Sequence, residues 1–240
     1  MFNKVYEIKY SDNDELMRLK PSVFFEYLED IAAKNADELS FGYENIYSKG
    51  LGWFLLKYAI EIYNYPKNLS FLKIETESRG ANKHFAYRDF YFYDDKNALV
   101  GRAASTWALV DLNNKSMLNP KETLGEKIWD FVKKEDDILY NKIPAVTAAD
   151  KEKLFEIRYD DIDVNRHANN SKYIVWALET LPYEMLKEKS IKRIDIQYKK
   201  ETGYGSSISS QVQISENKSL HSIKNADTNE DLCGLLIEWN

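Results

Sequence analysis

The sequence is poor in the residues that form cross-links and metal centres. Its 240 residues include a single cysteine, Cys233, so an intrachain disulfide is excluded and a reducing compartment is the simpler expectation. With only three histidines beside it, a dedicated zinc centre is not expected, and we predict neither a metal nor a cofactor. The chain also lacks GxSxG, GxxxxGK[ST], CxxC and HExxH, which removes the common serine-hydrolase, phosphate-loop and zinc-protease classes.

Positively charged residues are also fewer than negatively charged ones. The 33 Lys and Arg are outnumbered by 39 Asp and Glu, which gives a net charge of -6 and an isoelectric point near 5.3. Bulk binding to nucleic acid is therefore disfavoured, and an acidic partner would need a local basic patch. Residues 1–5 run directly into a strand pattern, and no long apolar run occurs. We expect no signal peptide, no membrane span and a cytoplasmic location.

Aromatic residues, in contrast, are abundant. The chain has 17 Tyr, 11 Phe and 5 Trp, and its hydrophobic fraction is 44%. This composition indicates a folded, strand-rich protein with a broad apolar interior. The length permits one large domain or two of about 100 to 150 residues, so the division has to come from the sequence pattern.

An internal repeat with an offset of 149 residues supplies that division. It aligns YEIKYSDND, from Tyr6, with FEIRYDDID, from Phe155, and five of the nine positions are identical without a gap. The register continues into apolar helices at Ser22 and Ser171. Each copy is therefore predicted to contain a strand, a polar loop and an apolar helix, in that order.

Several strands are predicted after each helix. Alternating, β-branched and aromatic stretches occur at 53–65, 71–79, 84–93 and 100–111, and again at 191–199, 206–215 and 232–239. A helix that is apolar around most of its circumference is best buried when a sheet wraps it. The pattern therefore predicts an α+β fold in which each half is an antiparallel sheet around one long central helix.

Three segments follow from this pattern. We predict an N-terminal half at 1–118, a linker at 119–150 and a C-terminal half at 151–240. The linker is charged, with a scattered apolar stripe, and is predicted to cross the surface as a partly helical segment. Its Trp129 and Phe131 are predicted to pack on one of the halves.

The polar loop of the second copy carries the candidate chemistry. Asp163, Asn165 and His167 stand at alternate positions, so in an extended loop their side chains would point the same way. An amide and an imidazole there could polarise a carbonyl and orient a water, as acyl transfer requires. The N-terminus of the following helix adds its partial positive charge, with Asn169, Asn170 and Ser171 as predicted caps.

The loop of the first copy limits these assignments. Leu16 and Arg18 take the places of the amide and the imidazole, so only the second half can perform this chemistry. Asp14, however, matches Asp163. Asp163 is therefore either a brace of the turn or a chemical group, and both interpretations stay open. For His167 the alternative is an ordinary surface histidine.

Two motifs resemble a known family. DIDVNRHANNSKYIVWALE, from Asp161, looks like the catalytic loop and central helix of the acyl-acyl-carrier-protein thioesterases, and IDIQYKKETG, from Ile194, looks like their second motif. The segments from Gly52 and around Trp107 are also similar to the family's first half. The resemblance implies a tandem (double) hot-dog fold and a bacterial-type enzyme. Its expected activity is hydrolysis of the fatty acyl thioester of acyl carrier protein, which releases free fatty acid and ends chain elongation in fatty acid biosynthesis.

The same resemblance implies the site residues Asp163, Asn165, His167 and Glu201. Glu201 would be the general base, with His167 and Asn165 holding the carbonyl and the water. Taken alone, Glu201 would be an ordinary carboxylate at a strand end. Thr202 follows it where many plant members have Cys, which excludes a cysteine nucleophile at this position. Cys233 is predicted to be a small core residue, and His84 and His221 to be structural or surface groups.

The family likeness also gives candidate binding residues. For the acyl tunnel, which the first half would largely supply, they are Phe24, Trp53, Leu55, Tyr58 and Trp107, each equally well explained as core. For docking of the acidic carrier protein and its phosphopantetheine-linked acyl chain they are Lys172, Lys192, Arg193, Lys199 and Lys200, for which a solvated strand face is the alternative.

Other functions stay open from sequence. An acyl-CoA thioesterase is the nearest alternative, and a hot-dog hydratase or dehydratase would place a histidine near a carboxylate in a similar fold. A non-catalytic acyl-thioester sensor would keep the tunnel and lose the base. Because two hot-dog units in one chain can form the minimal pair alone, a homodimer is possible and not required.

Overall fold

The computed structural model of the chain describes residues 1–240. Its first half contains β1 Phe2–Glu7, α1 Pro21–Glu38, α2 Tyr43–Ile46, β2 Leu51–Ile62, β3 Phe71–Ala81, β4 Ala86–Tyr93, β5 Leu99–Asp111 and β6 Met117–Leu118. After α3 Pro120–Leu124, the second half contains β7 Lys151–Glu156, α4 Asn170–Leu178, α5 Tyr183–Glu188, β8 Ile191–Tyr198, β9 Ser207–Ser215, β10 Lys218–Asn225 and β11 Asp231–Trp239. None of the helices combines the length and apolarity that crossing a membrane requires.

All strands belong to one antiparallel sheet that runs through both halves. Its order is β1-β3-β4-β5-β2-β8-β11-β10-β9-β7, with β6 paired to β5. The halves join where β2 pairs with β8, from Lys57 opposite Gln197 to Glu61 opposite Arg193. The central helices α1 and α4 pack against each other and against the sheet. This arrangement confirms the predicted α+β tandem hot-dog.

The helix α1 follows directly from its sequence. Pro21 occupies the first turn, where its missing N–H is not needed, and the buried residues recur at helical spacing. Phe25, Leu28 and Ile31 are fully buried and form one core with residues of α4. Because α1 and α4 share this core, groups on α1 lie close to the loop that precedes α4.

Two elements of the second half are shorter than their apolar sequence pattern. The strand β7 ends at Glu156, and Tyr159 lies 87% exposed in a 3₁₀ turn. The helix α4 ends at Leu178, before the buried Leu181. Thr180 Oγ1 there donates to the Trp176 carbonyl at 2.9 Å, and Pro182 disfavours helical geometry in the residue before it.

The linker is partly helical, as predicted, whereas one strand was not predicted. Only Pro120–Leu124 and a short 3₁₀ turn are helical, and the rest of the linker is irregular. The Phe131 ring packs on Tyr87 with centroids 4.3 Å apart, whereas Trp129 is 45% exposed. The strand β10 was not predicted, because its mixed polar sequence KSLHSIKN shows little strand character; pairing with β9 and β11 fixes it.

Candidate active site

The loop before α4 is a tight turn and not the extended loop expected from sequence. Ile162 pairs with Ala168, and the Asp163 N–H donates to the His167 carbonyl at 2.8 Å. The Arg166 N–H donates to the Asp163 carbonyl at 3.0 Å, with Arg166 at a positive φ of 67°. The side chains of Asn165 and His167 are therefore oriented by a turn, and strand alternation does not apply to them.

Asp163 braces this turn. Its Oδ1 accepts from the backbone N–H groups of Asn165 at 2.8 Å and His167 at 3.2 Å, and its Oδ2 accepts from the Asn165 side-chain amide at 3.3 Å. This is an Asx-type arrangement, in which a short carboxylate closes its own loop. Bracing is thus observed for Asp163, while a chemical role for it stays a prediction.

The imidazole of His167 lies beside the carboxylate of Glu201. Glu201 Oε1 is 3.2 Å from His167 Nδ1, an ion-pair distance, although the direction at Nδ1 does not meet hydrogen-bond geometry. Each side chain is about one-third exposed, at 32% for His167 and 33% for Glu201. Glu201 follows β8, and the Ala168 N–H donates to the Thr202 carbonyl at 2.8 Å, which ties the turn to this strand end. The structure therefore brings together Asp163, Asn165, His167 and Glu201.

The electrostatics of Glu201 suit a base. Burial raises the pKa of Glu201 above its usual value, and the neighbouring Asp163 carboxylate acts in the same direction. His167 and Lys115 oppose that shift. A half-buried carboxylate with a raised pKa accepts a proton more readily than one in water. Lys115 lies in the turn after β5 of the first half, and nothing in its local sequence indicated that its charge would act on Glu201.

Of the three predicted caps of α4, Asn169 is the N-cap, whereas Asn170 and Ser171 are the first two residues of the helix. Asn169 Oδ1 accepts from the Ser171 N–H at 2.7 Å, and Tyr198 Oη donates to the Asn170 carbonyl at 3.1 Å. The N-cap of α4 therefore lies two residues after His167. Its partial positive charge favours an anion that develops at this place.

A second group that sequence analysis missed is Glu29 of α1. Its Oε2 accepts from the Asn169 side-chain amide at 3.4 Å, while its Oε1 is enclosed and has no hydrogen-bond partner. Burial raises the pKa of Glu29 to about 7, against the opposing effect of the Asn170 and Asn169 amides. The sequence feature that could have indicated Glu29 is an acidic residue four positions after Phe25, within the apolar stripe of α1.

The five candidate tunnel residues do not surround one space. Phe24, Leu55 and Tyr58 lie in the large shared core, where Tyr58 contacts Phe25 and Phe90 edge-on or tilted. Trp53 packs on the small cluster of Ala81, Ala86 and Ile128, and Trp107 contacts both clusters. The cavity beside Phe24 measures about 10 Å³, room for roughly one water. An acyl chain would require core side chains to move.

The candidate docking residues fall into two groups. Arg193 is held by Glu61, Asp195 and the Leu139 carbonyl. Lys199 pairs with Asp231 at 2.9 Å, and Lys200 pairs with Glu230. Lys172 and Lys192 form no ion pair, and Lys192 is exposed. Only these last two carry a charge that is not already paired.

Of the other two histidines and the cysteine, one lies at the surface and two lie in the interior. His84 is exposed, and His221 is buried, with burial lowering its pKa to about 3. Cys233 is a free, buried thiol in the core, as expected from sequence.

Comparison with known proteins agrees with this architecture. Solved structures of similar fold include a putative oleoyl thioesterase from Lactobacillus plantarum (TM-score 0.89, 24% identity) and an acyl-ACP thioesterase from Bacteroides thetaiotaomicron (TM-score 0.87, 22% identity). Both alignments cover 100% of this chain and 95% or 97% of the other. At this identity they show the fold alone: the chain is a tandem hot-dog protein, and its own geometry adds a histidine–carboxylate pair beside the N-terminus of the second central helix.

Sequence comparison then gives the family. Residues 1–125 match the acyl-ACP thioesterase N-terminal domain and residues 145–240 match the C-terminal domain. The chain belongs to the acyl-ACP thioesterase family. A chloroplastic palmitoyl-acyl carrier protein thioesterase of Cuphea hookeriana is 28% identical over 165 residues, and one of Arabidopsis thaliana is 28% identical over 172 residues. These alignments cover 66% and 69% of this chain but only 40% and 42% of the relatives.

Proposed function

We propose that this protein hydrolyses the fatty acyl thioester of acyl carrier protein and releases a free fatty acid, which ends chain elongation. The observation that carries the proposal is the approach of Glu201 Oε1 to His167 Nδ1, at 3.2 Å, just before the N-terminus of α4. Its relatives that bear thioesterase names support the substrate class. A partly buried carboxylate beside a turn that carries an imidazole and an amide supplies the groups that a water-mediated acyl transfer requires.

In the proposed mechanism Glu201 takes a proton from a water, whose oxygen bonds to the thioester carbonyl carbon. The carbonyl oxygen gains negative charge, and Asn165, His167 and the N-terminus of α4 stabilise it. Collapse of this intermediate breaks the C–S bond. The leaving thiolate of the phosphopantetheine arm takes up the proton that Glu201 received from the water. The products are a thiol and a carboxylic acid, which then ionises.

The two halves have different proposed tasks. The N-terminal half, residues 1–118, would hold the acyl chain, and the C-terminal half, residues 151–240, would carry the catalytic residues, with 119–150 linking them. Lys172 and Lys192 are the proposed contacts for the acidic carrier protein, because their charges are not paired within the chain. The cytoplasmic location and a homodimer stay predictions.

Thiol release from a panel of acyl-carrier-protein and acyl-CoA thioesters of different chain lengths tests the function. We expect wild type to release thiol from carrier-bound substrates, and E201Q and H167A to lose most of that rate. H84A is the matched control for the histidine, because His84 is exposed and distant in sequence. E216Q is the control for the carboxylate, because the Glu216 side chain is exposed.

Each outcome has a clear meaning. If both site variants stay folded and inactive while both controls match wild type, the hydrolase assignment and the two roles stand. Preferred turnover of acyl-CoA over carrier-bound substrates would assign the protein as an acyl-CoA thioesterase. If no thioester releases thiol, the proposed function is wrong.

A further inference from the structure

The contact between the two central helices is asymmetric at the candidate site. With the repeat offset of 149, Glu29 of α1 corresponds to Leu178 of α4, and Asn169 corresponds to Lys20. The carboxyl–amide contact between Glu29 and Asn169 therefore has no equivalent on the other side of the helix pair. The fold forms this helix with a leucine at the corresponding position, so the packing itself does not require an acid.

The acid is also unfavourable for stability as it stands. Glu29 Oε1 is inaccessible and has no hydrogen-bond partner, and an unpaired buried polar group destabilises a fold. The rest of the side chain is half-buried on α1, with its Oε2 directed to Asn169. Such a group, placed at the one side of the helix pair that carries His167 and Glu201, indicates a role in the site.

We propose that Glu29 is a positioning residue: it holds the Asn169 amide and thereby fixes the start of α4 and the His167 ring that precedes it. The proposal rests on the proposed function, since the fixed groups are those assigned to hydrolysis. The path is short. Asn169 Oδ1 accepts from the Ser171 N–H at 2.7 Å, and the Asn169 N–H donates to the Asp161 carbonyl at 2.8 Å, so its position sets both the helix and the turn.

The neutral form fits the surroundings of Glu29. The titratable groups that influence it are Glu26 on its own helix and Asp163 in the turn, both acidic. Tyr58 of β2 and Tyr198 of β8 are influenced by Glu29 in turn, and neither supplies a positive charge. An ionised Glu29 would accept more strongly from the Asn169 amide, but burial and the repulsion by Asp163, the brace of the turn, outweigh that gain, so the charged group is expelled from this place. The positioning should therefore weaken as Glu29 loses its proton.

Two variants of Glu29 test this. E29L introduces the residue of the corresponding position 178, and we expect kcat for the thioester to fall about 10-fold with little change in KM. E29Q keeps a neutral group of the same shape, and should recover most of that loss. Above about pH 7 the wild-type rate should fall while the E29Q rate stays level, because the amide cannot ionise. E38Q, on the exposed end of α1, is the control.

A second readout does not need turnover. The proton NMR signal of the His167 ring, compared at one pH, should shift in E29L and return towards its wild-type position in E29Q. The His84 signal should not change. H167A assigns the resonance, and circular dichroism checks that each variant is folded.

The outcomes separate the two proposals. If wild type is active, but E29L keeps the wild-type kcat and the His167 signal, positioning by Glu29 is overturned and the hydrolase function stands. Parallel pH profiles of wild type and E29Q would also overturn it. If wild type hydrolyses no thioester while the His167 signal still follows Glu29, the hydrolase function fails and the positioning stands.

Discussion

Asp14 and Asp163, which lie at corresponding positions of the repeat, brace corresponding turns through equivalent bonds to the backbone. Asp14 Oδ1 accepts from the Leu16 and Arg18 N–H groups at 2.8 and 2.9 Å, as Asp163 Oδ1 does from Asn165 and His167. The backbone agrees as well: Asp14 and Asp163 each donate to the carbonyl four residues later at 2.8 Å. The turn is thus a property of the fold, present with and without the candidate chemistry.

Replacing these two aspartates should separate structure from chemistry. D14N and D163N each weaken a brace of backbone N–H groups by removing the carboxylate charge, so each should lower the free energy of unfolding by about 1 kcal/mol. Only D163N should also reduce thioester hydrolysis, because it alone orients Asn165 and His167. Urea unfolding and thiol release measure the two effects. Equal activity of D14N and D163N would show that the second turn has no special role.

The first turn has become a contact between the halves. Where His167 stands in the second copy, Arg18 donates from Nη2 to the Leu186 carbonyl at 2.7 Å and from Nη1 to the Lys189 carbonyl at 3.0 Å. Leu186 belongs to α5, and Lys189 is the residue that follows its last turn. Arg18 also pairs with Asp14 at 2.7 Å. The guanidinium therefore connects the N-terminal turn to the C-terminal half.

Removing this guanidinium should affect stability and not catalysis. R18A leaves two carbonyls and the Asp14 carboxylate without their donor, so we expect the free energy of unfolding to fall by roughly 1–3 kcal/mol. The kcat of thioester hydrolysis should stay at the wild-type value at a temperature where the protein is folded. R18K, which keeps the charge and loses the planar fork, is the matched control and should recover only part of the stability. A large loss of kcat in folded R18A would contradict this division.

The sequence repeat predicted the fold because it is local: an identical strand and loop followed by a helix needs no knowledge of distant contacts. The same local information placed Asp163, Asn165 and His167 together. It could not reveal the turn at Arg166, because a positive φ in a non-glycine residue leaves no clear sequence mark. The extended geometry that was expected for this loop was wrong for that reason.

The sequence could not predict which residues of the N-terminal half act on the candidate site. Glu29 and Lys115 lie far from the site along the chain: Glu29 reaches it because α1 packs on α4, and Lys115, in the turn after β5, acts on Glu201 through its charge. Their own surroundings in sequence are an ordinary apolar helix and an ordinary polar turn. The same limit applies to the core, where side-chain packing decides that Trp53 and Phe24 lie in different clusters.

Lys115 should shift the acid limb of the pH profile of kcat. Its charge lowers the pKa of Glu201 against the larger effect of burial, which raises it. In K115Q that stabilisation of the ionised carboxylate is lost, so the Glu201 pKa should rise further and the acid limb of kcat should move to higher pH, by less than about 1 unit for an exposed lysine. K121Q, which alters a lysine of the linker helix, is the control. A profile of K115Q that coincides with wild type would place Lys115 outside the site.

The linker is attached to the N-terminal half through a buried arginine. Arg79 forms ion pairs with Asp89 and, at 2.8 Å, with Asp137 of the linker, and its Nη2 donates to the Val132 carbonyl at 2.7 Å. The ring of Phe131 lies 5.5 Å from the guanidinium. The D137A variant should loosen the 130–140 segment, and limited proteolysis there should accelerate about 10-fold or more while the core stays folded. Unchanged cleavage would mean that the Val132 and Phe131 contacts suffice.

The last prediction concerns stability against pH, because Glu29 has a raised pKa in the folded state. Between its ordinary value near 4.5 and about 7, the folded protein holds a proton on Glu29 that the unfolded chain has released. The contribution of this group to stability is therefore fully present below about pH 4.5, is lost as pH rises towards 7, and does not change above that. At full size the loss is at most about 3 kcal/mol, and water entry into the site would reduce it. In E29Q this loss cannot occur. The difference in unfolding free energy between E29Q and wild type, from urea titrations at about pH 5 and pH 8, should therefore shift in favour of E29Q at the higher pH, whereas E38Q should show no shift. An equal difference at both pH values would place the Glu29 pKa near its usual value and remove the basis for a neutral carboxyl in the site.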